Sequence, residues 1–111
     1  MSNGIFEVEF KSNRPDHGGG LVVVKDGAVN GGDPNYLYQG RVPDVSGPFK
    51  GQFQVSMWKT GNTNVAGIDN YTLDATGNID YEAGTIKLEG YVVGANSVKI
   101  TLLGRRIANA V

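Results

Sequence analysis

Residues 49–58 alternate between two sides of the chain without interruption. Phe49, Gly51, Phe53, Val55 and Met57 fall on one side, and Lys50, Gln52, Gln54, Ser56 and Trp58 on the other. Period two belongs to a β-strand, whose successive side chains point to opposite faces of the sheet. A helix would scatter both sets around its circumference. One dry face and one largely wet face is the pattern of an antiparallel sheet, because strands of a parallel sheet are covered on both sides and read as unbroken apolar runs.

The same pattern recurs along the chain. Phe6, Val8 and Phe10 alternate with Glu7, Glu9 and Lys11. Tyr36 and Tyr38 keep period two, as do Tyr71, Leu73 and Ala75 against Thr72, Asp74 and Thr76. Ile86, Leu88, Gly90 and Val92 form one dry face, and Val98, Ile100 and Leu102 the last. Residues 21–24 are apolar at every position, which predicts a strand covered on its outer side by another element or another subunit. Asp26-Gly27 has the composition of a type I′ hairpin turn, which needs two positive φ angles. Pro34 lacks an N–H and restricts Asp33 to extended geometry. Residues 13–20 read as a glycine-rich loop, Gly31-Gly32 as a break in the ladder, and 43–47, 80–84 and 94–97 as turns. Gly104 marks a predicted bend. Residues 60–69 lack period two, and a short helical turn near residues 63–68 is the only helix predicted.

The count is about eight strands joined by short connections, so sequential neighbours should pair. The predicted fold is a single all-β domain over residues 1–111, an antiparallel up-and-down β-barrel of about eight strands. Closure would remove both aggregation-prone edges. A two-sheet sandwich is the alternative architecture.

A chain of 111 residues buries a core without help from a metal or a disulfide. It has no cysteine, which removes disulfides, thiolate metal sites and cysteine nucleophiles. A net charge of -1 and a pI near 5.7 provide no field for nucleic acid or anionic lipid, so neither is an expected partner. The start, Met1-Ser2-Asn3-Gly4, carries no basic-then-apolar leader, and no apolar run approaches 18 residues. A cytoplasmic protein is the expectation.

No residue pattern carries catalysis. His17 is the only histidine and has no second one with which to share a metal. Gly18-Gly19-Gly20 precedes a strand, whereas a phosphate-binding loop must open a helix. Asp74, Asn78, Asp80 and Glu82 lack the spacing and flanking helices of a calcium loop. Glu7 and Glu9 lie on a wet face rather than in a cleft. No catalytic residue, metal ligand or cofactor is expected, and the protein reads as a non-enzyme.

Two sets of residues remain. The inward set is Phe6, Val8, Phe10, Phe53, Val55, Met57, Tyr71, Leu73, Leu88 and Val92, with the hydroxyls of Tyr36 and Tyr38. These either pack against one another or line a site for a small apolar ligand. The outward set is Leu37, Trp58, Tyr91 and Leu103, joined by Val22 and Val24 of the doubly apolar strand. Scattered apolar surface residues are ordinary, whereas a contiguous set marks a partner interface, and a homodimer is the expectation.

Several short motifs, in order and spacing, resemble the GrlR family of small bacterial proteins that negatively regulate type III secretion genes. They are Asn3-Gly4-Ile5-Phe6, Lys25-Asp26-Gly27, Gly31-Gly32-Asp33 and Tyr38-Gln39-Gly40. In the second half come Asn64-Val65-Ala66-Gly67, Tyr71-Thr72-Leu73 and Leu102-Leu103-Gly104-Arg105-Arg106. The resemblance implies a lipocalin-like eight-stranded barrel that dimerises and holds a transcriptional activator inactive by binding it. It also points to the loop after Tyr38-Gln39-Gly40 as the partner site, where the founding regulators carry the acidic run Glu-Asp-Glu-Asp. Here that stretch is Arg41-Val42-Pro43-Asp44-Val45-Ser46-Gly47, and Asp44 is its only acid. Pro43, Asp44 and Val45 are the candidate partner residues.

Overall fold

The computed structural model describes residues 3–12, 17–59 and 70–111, with the backbone alone for His17 and Asn96. The described residues form eight strands: β1 (Gly4–Ser12), β2 (His17–Lys25), β3 (Ala28–Gly32), β4 (Tyr36–Arg41), β5 (Gly47–Met57), β6 (Asn70–Asp80), β7 (Thr85–Val92) and β8 (Ala95–Ala108). Each pairs antiparallel with the next, and β8 returns to β1, so the sheet closes into an up-and-down barrel rather than a sandwich. The helical turn expected near residues 63–68 lies outside the described residues.

An eight-stranded barrel has an interior just wide enough for side chains to fill. The alternation supplies those side chains. Phe6, Val8, Val24, Ile79, Val92 and Ile100 are fully buried, and Phe49, Val55, Leu73, Ile86 and Leu88 pack with them. Glycine makes room where rings cross the barrel. Gly40 pairs with Phe53, and a Cβ there would lie 2.3 Å from the Phe53 ring. The β2–β3 turn has the expected geometry, with φ of 52° at Asp26 and 82° at Gly27.

Four boundaries differ from the sequence reading, and glycine is involved each time. Residues 18–20 are strand, paired with Phe10, Glu9 and Val8, because the regular ladder of β1 holds them extended. Gly31 and Gly32 pair on both sides, with Val22 and Leu21 of β2 and with Tyr38 and Leu37 of β4. Gly104 does not bend β8. It faces inward toward Ile86 and Val8 while the strand continues to Ala108. The last hairpin turns at Val93-Gly94, so β8 starts already at Ala95. Intrinsic β-propensity is weak beside pairing partners on both flanks.

The doubly apolar strand requires a further correction. Val22 and Val24 are 6% and 1% exposed and lie inside the barrel, whereas Leu21 and Val23 are 50% and 39% exposed. An outer dimer surface cannot include Val22 or Val24. A run of apolar residues hides its own alternation, so sequence alone does not say which half of it faces out.

Candidate functional site

Three regions could carry function: the barrel interior, its outer wall and the turns at one end. Of the expected lining, Phe6, Val8, Tyr36, Val55, Leu73, Leu88 and Val92 are buried, and Phe10, Tyr38, Phe53, Met57 and Tyr71 are half-buried. All but Tyr36, Val55 and Met57 belong to two adjoining clusters bridged by Phe10 and Phe53. Phe10 stacks against Tyr38 with ring centroids 5.0 Å apart, and Phe49 against Phe53 at 5.8 Å. The space left among these side chains is about 50 Å³ with a wholly apolar lining. Small-molecule sites occupy roughly 300–1,000 Å³. Among the described residues, the inward side chains around this space are packed against one another.

The polar groups at the upper end, where β3 turns into β4, are internally satisfied. Asp33 accepts hydrogen bonds at Oδ1 from the backbone N–H groups of Asn35 and Tyr36, both at 2.8 Å. Its other carboxylate oxygen accepts from the Tyr38 hydroxyl. Burial, and then the Asp33 carboxylate, hold the Tyr38 phenol well above its ordinary pKa. Burial also raises Tyr71, with smaller contributions from Tyr36 and Asp33. Both hydroxyls are neutral donors throughout the physiological range.

The outer wall has two halves. Across β1 to β4 the register sets Ile5 beside Val23, Glu7 beside Leu21, Leu21 beside Gly32, and Gly32 beside Leu37. Glycine at position 32 leaves no side chain between the two leucines. Trp58 extends this band, because its backbone N–H donates to the Asn35 carbonyl at 2.8 Å and its indole Nε1 to the Asp33 carbonyl at 3.1 Å. In its cross-strand row Leu21 is flanked by Glu7 and then Arg105, which pair at 3.2 Å. That exposed ion pair adds little stability, but it neutralises the margin of the band. A groove of about 700 Å³, floored by the bare backbone of Gly18, Gly19 and Gly20, adjoins Leu21.

Starting at Asn30, directly beside Val23, the wall turns polar across β3 to β6. Asn30 and Gln39 bond at 3.1 Å, Gln54 and Thr72 at 3.0 Å, and Gln52 and Asp74 at 3.2 Å. Of the expected dimer residues, Leu37 and Trp58 thus lie on the apolar band. Leu103 is exposed one strand beyond it, opposite Glu9. Tyr91 sits on the polar half, opposite Asp74. The structure separates what sequence reasoning grouped. It adds Ile5, Leu21 and Val23, whose signal was the apolar run and its cross-strand register.

At the lower end, three turns come together: residues 26–27, 42–46 and 81–84. The expected partner loop is fastened there. Tyr81 is buried and donates its hydroxyl to the Pro43 carbonyl, while its backbone N–H donates to Ser46 Oγ at 2.9 Å. Val42 N–H donates to the Gly27 carbonyl at 2.8 Å. Asp44 and Val45 remain exposed and Pro43 is half-buried. Burial, and then the charge of Asp44, raise the Tyr81 phenol. The turns bring Asp26, Asp80 and Glu82 to the end of the barrel that carries Asp44, beside Lys25, Arg41 and Arg106. Sequence reasoning missed this because the acids are far apart in the chain. Asp80 also accepts from Ala83 N–H at 3.0 Å, which shapes its turn. Among the described residues no three His, Cys, Asp or Glu side chains are placed to hold a metal ion, and no helix is long and apolar enough to cross a membrane.

Among the described residues the molecule is a closed antiparallel barrel of eight strands with an apolar band on its outer wall. Its family follows from comparison: the chain belongs to the GrlR family, described as the T3SS negative regulator GrlR, whose family model matches residues 1–110. No curated protein matches it.

Proposed function

We propose that this protein is a negative regulator of type III secretion genes that works by binding a protein partner, a transcriptional activator, as a homodimer. The observation that carries this reading is the family match over residues 1–110. The close packing of the described inward side chains supports it, since the cavity they leave is about 50 Å³. The apolar band from Ile5 to Trp58 is the homodimer surface. Its pairing would be isologous, each band facing its copy across a two-fold axis. The partner surface is the lower end, where Pro43, Asp44 and Val45 stand beside the other turn acids. These acids, gathered from three turns, provide in this chain some of the charge that the founding regulators concentrate in one run.

The test is genetic and direct. Deleting the gene in the source bacterium should raise transcripts of its type III secretion genes, and the wild-type gene should restore repression. A variant with Asp44→Lys and Glu82→Lys should fold, dimerise and fail to restore it. Unchanged secretion transcripts in the deletion strain would contradict the proposal.

A further inference from the structure

Trp58 is the chain's single tryptophan and lies on the outer band. Tyr38 points the other way, into the interior, where it lines the small apolar cavity and stacks on Phe10. The two never touch in the sequence pattern, yet one residue holds both. The Asp33 carboxylate accepts from the Tyr38 hydroxyl, and the Asp33 carbonyl accepts from the Trp58 indole. The remaining bonds of the turn make it one unit. Asp33 N–H donates to the Tyr36 carbonyl at 3.0 Å, Asn35 and Tyr36 donate back to Asp33 Oδ1, and Asn35 Nδ2 donates to the Lys59 carbonyl at 3.2 Å.

The Tyr38 ring lies against Gly20 and packs on Phe10. A Cβ at Gly20 would lie 3.2 Å from the ring and 2.5 Å from the Gly32 carbonyl oxygen. A ring in such a slot transmits its position to the group its hydroxyl meets. Its phenol stays protonated, so it remains a donor to Asp33.

We propose that Asp33 is a two-sided latch that ties the packing of the barrel interior at its upper end to the position of Trp58 on the homodimer surface. The inference rests on the homodimer reading above. Coupling between sites is reciprocal. Tight interior packing therefore favours self-association, and self-association, by holding Trp58, tightens the mouth. Tyr38 and Asp33 are positioning residues in this account, since neither lies on the apolar band itself.

The experiment uses the full chain. Sedimentation velocity over a concentration series gives the dimer dissociation constant, and fluorescence gives the emission maximum of Trp58. Wild type is compared with Tyr38→Phe, which removes only a hydroxyl from inside the barrel, and with Asp33→Asn, which keeps the acceptor for the turn N–H groups. Both variants should retain the wild-type β circular dichroism spectrum. Each should weaken the dimer by about tenfold, the scale of one hydrogen bond, and shift Trp58 emission to longer wavelength. A dimeric wild type whose Tyr38→Phe and Asp33→Asn forms match it in both measurements overturns the latch while leaving the homodimer intact. A wild type that stays monomeric at tens of micromolar overturns the homodimer and, with it, the link. If Tyr38→Phe does not fold, Asp33→Asn alone decides by the same two readouts.

Discussion

The two halves of the barrel wall share one interior and differ on the outside. Over β1 to β4 the outward positions include Ile5, Leu21, Val23 and Leu37, with glycine at 32 flattening the surface between the leucines. The two stretches meet on β3 and β4: the row that starts with Ile5 and Val23 continues as Asn30, Gln39, Gln54 and Thr72, with Asn30 bonded to Gln39 and Thr72 to Gln54. Inward, both halves obey the same alternation of apolar residues. What differs is therefore unrelated to closing the barrel. An amide row satisfies itself and faces water at little cost, whereas an apolar band exposed beside it is the arrangement that marks a partner surface.

The largest effect should come from the part both halves share. Ile79 is fully buried, and Ile79→Ala should cost about 2–5 kcal/mol in urea unfolding, as transfer and cavity costs combine. That loss should appear whether or not the protein self-associates. A loss below about 1 kcal/mol would mean that the interior is looser than described.

The comparison itself is tested by placing one charge on each half. Leu37→Glu should raise the dimer dissociation constant by about 30-fold or more, because a carboxylate entering an apolar interface without a partner costs at least roughly 2 kcal/mol. Gln54→Glu, on the amide row, should leave the constant within about twofold. Sedimentation velocity separates the two outcomes. Equal effects would place the interface elsewhere.

Much of this was legible beforehand, and the parts that were not share a cause. The alternation of residues 49–58 and its repeats led to eight strands, and the family match agrees with the resemblance read from motifs such as Lys25-Asp26-Gly27 and Tyr38-Gln39-Gly40. Residues 18–20 read as loop because glycine has no side chain to show a period, and only the ladder with β1 makes them strand. Val22 and Val24 could not be distinguished from Leu21 and Val23, since an all-apolar run shows the same hydropathy on both faces. Tyr91 was grouped with Leu37 because exposure can be read from alternation while position around a barrel cannot. In the sequence Asp33 reads only as a residue that Pro34 restricts to extended geometry. Its bonds to Tyr38 and Trp58 span opposite faces of the wall, and no local motif encodes that.

Smaller effects are expected at the two ends. Tyr81→Phe should cost about 1 kcal/mol by removing the bond to the Pro43 carbonyl, and should speed hydrogen exchange around residues 42–46. Unchanged exchange there would mean that the partner loop is held by other contacts. At the upper end the tyrosines should make stability depend on alkaline pH. Tyr38 and Tyr71 are held protonated by burial in the folded chain, so the unfolded chain loses those protons first. Their contribution is complete below about pH 10, the ordinary phenol value, and falls as pH rises beyond it. Tyr71→Phe should flatten the decline seen in unfolding curves above that pH.

The most direct measurement is a native mass spectrum of the freshly purified protein. A barrel filled by its own side chains and joined through its apolar wall should appear as a dimer at twice the bare chain mass, with nothing added. A bound mass of a few hundred daltons per chain would show that the interior opens for a ligand, and would move the site of function from the outer surface to the inside.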